Sequence, residues 1–399
     1  EPVSGFSSNE DITVQNGSLA TMTSVDNNNI TWTGTFTPNT NVTDASNIIT
    51  LSASYTDLAG NPGPSATSSN YVIDTTPPTV ISFTISDTAL KIGDTAIVTL
   101  TFSEAVVEFS STADIDAQNG TLLEMISTNG GITWTGTFTP TANVEDASNV
   151  LTLSASYTDI YGNTGLSVTS STYAIDTKAP TINAVGTSSF SWGAVLNSLE
   201  RTIDQTVSVT TNDVENGQIV TITLNGVDYT GSITDNASSV TINTAGLQAL
   251  TNGQTYTLTA NVSDSAGNAA TQVTSSEFSL DTVVTTVESF SMSSVELNMY
   301  STPSVTLRFS KEIPNFSSTA HITAMNGTLS LMTSSDNLTW SGTFTPAMTN
   351  NTTGNVLSLD NTYTDIAGNI GPSATTATYT IDTTPPNPPT VVFPRGTTN

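Results

Sequence analysis

The stretch ITWTGTFTP at 132–140 sets Ile132, Trp134, Gly136 and Phe138 on one side of an extended chain and Thr133, Thr135 and Thr137 on the other. Period-two alternation of this kind is the pattern of a strand with one face against a core. The same nine residues recur at 30–38, and LTWSGTFTP stands at 338–346. Val98, Leu100 and Phe102 alternate with Ile97, Thr99 and Thr101 in the same way, as do Leu153, Ala155 and Tyr157 with Ser and Thr. About seven such short strands per hundred residues, divided by Asn, Gly and Pro turn signals, predict an antiparallel β-sandwich. No long helical pattern competes with it.

The spacing around these strands is constant. The Tyr of YTD follows the Trp by 23 residues at Tyr55, Tyr157 and Tyr363. DxxGN then runs Asp57 to Asn61, Asp159 to Asn163, Asp264 to Asn268 and Asp365 to Asn369, and 17 residues after each first Asp comes Asp74, Asp176, Asp281 or Asp382. This self-similarity divides the chain into repeats: 1–76, 77–177, 178–282 and 283–383, with a Pro-rich linker or the start of a further repeat at 384–399. The third repeat lacks the WTGTFTP strand and reads as a sister type with the same ending. EPVSGFSS at the start aligns with EAVVEFSS from Glu104, so residues 1–76 are expected to form an incomplete repeat without its first two strands.

A formal charge of -28, from 6 Lys and Arg against 34 Asp and Glu, argues against nucleic acid and anionic membrane as partners and favours cations. No cysteine is present, so disulfides and thiolate metal sites are excluded, and any metal must be held mainly by oxygen. No apolar run suggests membrane insertion, and any export signal is expected outside this segment.

TFSE, WTGTFTP, YTDxxGN and YxIDTTPP together resemble the bacterial immunoglobulin-like repeats of large adhesins exported by type I secretion. SWGAVLN with GQIVTITLNG in the third repeat resembles a subtype of the same family. The resemblance covers nearly the whole chain. It implies an all-β protein of tandem immunoglobulin-like antiparallel β-sandwiches, arranged as an elongated rod and stiffened by structural Ca2+ at the junctions. It further implies a secreted or cell-surface extender in a bacterial adhesin or biofilm protein. The partners it implies are the neighbouring repeats, with a cell-surface glycan or protein ligand engaged elsewhere in the parent.

An immunoglobulin-like topology separates the two Asp of one repeat to opposite poles, so each is expected to meet its neighbour's. The first junction then gathers Asp74, Asp159, Asn163 and Glu104. The second joins Asp176 with Asp264, Asn268 and either Asp213 or Glu215. The third brings Asp281 to Asp365 and Asn369 as candidate ligands, but Lys311 stands at the position of Glu104 with Glu312 next to it, and DTVV replaces the proline linker, which ranks this junction last of the three as a metal site. Asp57 with Asn61, and Asp382, should each form half a site. Carboxylates converging without a cation repel by about 4 kcal/mol per pair at ~4 Å and an effective dielectric near 20. Calcium, with six to eight oxygen ligands in loose geometry, suits loop-borne donors. DxxGN is also a good turn sequence. Turn chemistry explains Gly60, Gly162, Gly267 and Gly368, and is expected to give no reason for the second Asp.

Trp32, Trp134 and Trp340 share a strand face with Ile and Phe and are expected in cores. His321, the single histidine, is expected at the surface, and with no second one a recurring Ser-His-Asp triad is excluded. Repeated carboxylates at loop poles without a cleft argue against an enzyme. A binding role for one repeat would most plausibly fall to the third, where Phe190 and Trp192 form the candidate aromatic cluster.

Overall fold

In the computed structural model, which describes residues 1–392, strands account for 45% of the chain and helices for 6%. The longest helix, Thr244–Gln248, has five residues, and no helix among those described is long and apolar enough to cross a membrane. The chain divides into two units. One comprises 1–179 with 266–268, and the other 180–265 with the residues from 269 onward.

The first unit contains a complete sandwich between Val80 and Asp176. One sheet runs in the order 80–85, 96–102, 133–140, 120–122, with 126–127 also on 133–140, and all its pairings are antiparallel. Facing it, 115–117 pairs with 151–153 and then 168–169, while 145–149 pairs with 173–176. The short strand 89–91 runs parallel to 173–176, with Leu90 opposite Ile175. Ala96, Val98, Leu100 and Phe102 all point inward, as the alternation requires, and meet Phe138, Leu151, Leu153, Tyr157 and Tyr173 in one core. Burying each such large side chain contributes about 1.5–3 kcal/mol.

Two details depart from the alternation. Ile132 is 38% exposed because the strand begins one residue later, at Thr133. Ala155 is exposed because the strand stops at Leu153, where the Ser154 and Ser156 hydroxyls turn back to bond Asp114.

Residues 1–76 repeat this plan in part. Strands 12–14, 49–51 and 66–67 form one sheet, 43–47 pairs with 71–74, and 17–19 pairs with 36–38. Phe36 and Tyr71 are only half-buried, whereas their counterparts Phe138 and Tyr173 are 0% and 1% exposed. The two strands that complete the second repeat's core, 80–85 and 96–102, have no counterparts in 1–76.

The second unit holds two separate cores, one spanning Ile182 to Leu280 and one Leu297 to Ile381. The latter repeats the sheet order of the second repeat, 287–292, 304–309, 339–346, 327–329, with single bridges at Thr333 and Thr364 in place of the short strands 126–127 and 158–159. The former differs where the sequence does: 227–232 pairs with 219–224, then 258–261 and 273–274, in place of the short strands of its relatives.

Trp340 is buried, and Trp134 packs edge-on to Phe109 at 4.9 Å against its core. Trp32 makes the same contact with Phe6 at 4.9 Å. Phe190 and Trp192, the candidate aromatic cluster of the binding alternative, are each 5% exposed and stack at 4.9 Å inside their core. SWGAVLN buries them because the short parallel strand 195–197 draws the segment onto 278–281. His321 is likewise not a free surface residue. It stacks on Phe316 at 5.7 Å, and Nδ1 lies 3.0 Å from the Thr362 hydroxyl and 3.5 Å from Asp360.

Candidate metal centre

Each DxxGN segment is a turn built around its first Asp. Asp159 Oδ1 accepts the N–H of Tyr161 at 2.8 Å and of Asn163 at 3.0 Å, and Oδ2 accepts the Asn163 amide at 2.7 Å. Gly162 takes φ +88°, which the turn requires and an L side chain resists. Burial is the largest influence on Asp159 and pushes its pKa up, but the bonds from the Asn163 amide and the turn N–H groups outweigh it and hold the carboxyl below 3.8.

The turn is fixed from below by a pair the spacing does not reveal. Tyr157 is fully buried, donates its hydroxyl to the Leu166 carbonyl at 3.0 Å, and lays its ring against Gly165, where an added Cβ would sit 2.1 Å from a ring carbon. Tyr363 with Gly371 and Tyr55 with Gly63 repeat the arrangement. In the third repeat Val262 replaces the Tyr and Ala270 the Gly. The Gly appears where a ring needs its space, and that covariation within the chain is the signal that could have found it. Asn149, fully buried, instead fixes the register shift between 145–149 and 173–176, its amide donating to the Asp146 and Tyr173 carbonyls at 2.9 and 3.2 Å.

The second Asp has local work as well, contrary to expectation. Asp74 Oδ1 accepts the Thr76 N–H at 3.1 Å, Asp176 that of Lys178 at 3.2 Å, Asp281 that of Val283 at 3.0 Å and Asp382 that of Thr384 at 3.1 Å. Each closes a turn at the strand exit, because an Asp oxygen readily reaches the N–H two residues on. One oxygen of Asp74 is thereby engaged and the other remains for the junction.

At the first junction Glu104 follows strand 96–102, whose neighbour Ser103 bonds Thr79 in both directions, at 2.8 and 2.9 Å. This places Glu104 beside the arriving chain. Asp74, Glu104 and Asp159 each present an oxygen, all within 4.8 Å of one another. Asn163 links the two repeats directly, its amide donating to the Asp74 carbonyl at 3.1 Å. Burial first, and then the charges of Asp74 and Asp159, push the Glu104 carboxyl above its usual 4.5. An all-oxygen, triply anionic cluster whose third member resists ionisation fits a hard divalent cation, with carbonyls or water completing the shell.

The third junction has the same frame with a different centre. Asn369 donates to the Asp281 carbonyl at 3.0 Å, and Asp365 closes its turn on Ala367 and Asn369. Lys311 Nζ lies 2.8 Å from both oxygens of Asp281 and 3.2 Å from Asp365, and it also donates to the Val283 carbonyl.

Of the remaining expected residues, Asp176 ends its strand in the first unit, and Asp264 and Asn268 are buried in the turn that holds Gly267 at φ +89°. Asp213 is exposed at φ 58° after strand 205–212. Glu215 instead accepts the N–H and hydroxyl of Ser265 at 2.8 and 2.6 Å, bonds that hold its pKa below the usual value. Asn61 bonds Asp57 at 2.7 Å within their shared turn, and Asp382 is exposed.

Residues 1–73, 74–175 and 281–381 each match the bacterial Ig-like domain family. No curated protein matches the chain. Among solved structures, the chain is similar to a Ca2+-stabilised adhesin that helps an Antarctic bacterium bind ice. That match has 22% identity over 93% of this chain and 90% of the other, with a TM-score of 0.36. It is also similar to a 1.5-MDa bacterial ice-binding adhesin, at 19% identity over 76% and 99% with a TM-score of 0.40. A stretch of titin domains is similar at 9% identity over 77% and 99%, with a TM-score of 0.34.

Proposed function

The chain belongs to the bacterial Ig-like domain family, and on that premise we propose that it is a structural extender whose first repeat junction is locked by calcium. The observation that carries this reading is the convergence of Asp74, from one repeat, with Glu104 and Asp159, from the next, to within 4.8 Å. Local turn chemistry accounts for the conformation of Asp74 and Asp159 but gives no reason for Glu104 to join them. A divalent cation there would relieve repulsion that otherwise opens the junction, and would tie a strand exit to two loops of the following repeat. Weak extracellular affinity, on the order of 10⁻⁴–10⁻³ M, is enough for such a role. Asp57 with Asn61, and Asp382, would supply halves of further junctions.

A large parent adhesin or biofilm protein, type I secretion and a bacterial surface location are the context that the motifs suggest. The acidic, cysteine-free composition is compatible with it. The ligand would then be engaged by other parts of the parent. The alternative, that the third repeat is itself a binding module, loses its candidate residues because Phe190 and Trp192 are buried.

Calorimetric titration of the whole chain with calcium tests the reading. Saturable binding that Asp74→Asn weakens is the expected result. Absence of binding at millimolar calcium, or binding unaffected by that substitution, would refute it.

A further inference from the structure

The two junctions described above share one frame and differ at its centre and in the linker. In both, the first strand of the later repeat meets the second in the same shifted register, Val80 opposite Phe102 and Val287 opposite Phe309. The serine after that strand is tied to the incoming linker in the same way: Ser103 to Thr79, Ser310 to Thr286. Asp281 and Asp365 thus occupy the positions of Asp74 and Asp159, and Asn369 bridges the repeats as Asn163 does, at 3.0 and 3.1 Å. The residue after that serine, which supplies the centre of the junction, is Glu104 in one case and Lys311 in the other.

We infer that Lys311 is a built-in cation, its ammonium holding at this junction the place that a divalent ion would take between Asp74, Glu104 and Asp159, so that the joint locks without metal. The inference rests on the calcium reading of the first junction for its comparison, though the lysine's own contacts stand without it.

The chemistry of the site supports the substitution. An ammonium has three N–H donors and no acceptor, and this one is surrounded by four oxygens: both of Asp281, one of Asp365 and the Val283 carbonyl. These come from the strand exit, the linker and the DxxGN turn, the parts a junction must join. The Asp365 side chain is 0% exposed and that of Lys311 26%, so salt screens the contact far less than a surface pair. Formal charge at the centre falls from three carboxylates to two offset by one cation, and the ammonium itself would repel a divalent ion. The linkers differ to match. The first carries Pro77 and Pro78, which stiffen it, whereas the third reads TVVTT and is held instead by the lysine on Val283. One chain thereby carries a junction that responds to calcium and another that does not.

Hydrogen exchange of the full chain, followed by mass spectrometry with millimolar calcium or with chelator, separates the two. In the wild type, linker 282–287 should be equally protected in both, while 74–80 loses protection in chelator. Lys311→Met should speed exchange at 282–287 roughly tenfold in both buffers, with strand 304–309 still protected to show that the repeat is folded. Lys311→Glu should make protection at 282–287 calcium-dependent, and Lys311→Arg should leave it unchanged. Loss of protection at 282–287 when calcium is removed from the wild type would overturn the inference, as would an unaltered Lys311→Met linker. Calcium-insensitive 74–80 would count instead against the reading of the first junction, while 282–287 would still decide the role of Lys311.

Discussion

Glu104→Gln keeps the shape of the first junction and removes one of its three charges. At the 4.8 Å limit of the cluster, a like-charged pair costs about 3.5 kcal/mol at an effective dielectric of 20. Glu104 faces two such neighbours but is partly open to solvent, and screening reduces the gain from neutralising it to about 1–2 kcal/mol. For a repeat of this size, that raises the metal-free unfolding midpoint by roughly 5–10 °C at neutral pH. With calcium the order reverses. An ion at a hundred times its Kd adds about 2.7 kcal/mol to the wild type, and the variant, one carboxylate short, gains much less. The pH dependence follows from the direction of the Glu104 shift. Its folded-state pKa lies above 4.5, so the folded junction holds that proton more tightly than the unfolded chain. The Glu104 contribution to metal-free stability is therefore full below 4.5 and is lost as pH rises through the folded value, a loss that Glu104→Gln abolishes. Asp159, held below 3.8, acts in a lower window: its contribution is present above 3.8 and is lost as pH falls through its folded value. Scanning calorimetry of the full chain in chelator and in calcium, across this pH range, reads all of these effects. A variant no more stable than wild type in chelator, or an undiminished calcium shift, would refute the reasoning.

Gly165→Ala drives a Cβ to 2.1 Å from the fully buried Tyr157 ring and should cost about 1–3 kcal/mol in thermal unfolding. Adding Tyr157→Val recreates the Val262 and Ala270 pair of the third repeat, so the double variant should lose less than the sum of the single losses. For Lys311, burial is the largest influence and lowers its pKa, but the bonds to Asp281 and Asp365 together hold it above 10.5. Its contribution to the fourth repeat is full below 10.5 and is lost as pH rises through the folded value, so alkaline unfolding midpoints should fall further in wild type than in Lys311→Met.

The sandwich is legible in the sequence because its strands are half-buried. Phe102, Phe138 and Leu151 point inward for the reason that Thr alternates between apolar residues, and a sheet leaves no other solution. Strand ends are less legible. Ala155 keeps the apolar alternation but lies past the point where Ser154 and Ser156 turn back to Asp114, a long-range contact that local periodicity does not encode. The aromatic pair Phe190 and Trp192 escapes a local reading for a similar reason, since the parallel pairing that buries it joins segments more than eighty residues apart. At the first junction, recurrence of the two Asp at fixed spacing identifies the participants. It does not reveal that Asp74 also closes its own turn, nor that Lys311 reaches four oxygens at once, because both are matters of where atoms fall rather than which residues recur.

Small-angle scattering of the chain with calcium and with chelator tests most directly the claim that its first junction is locked by metal. The account predicts a longer maximum dimension and a less flexible profile with calcium, and no such gain in a chain carrying both Asp74→Asn and Glu104→Gln. Superimposable curves for the wild type in the two buffers would contradict it.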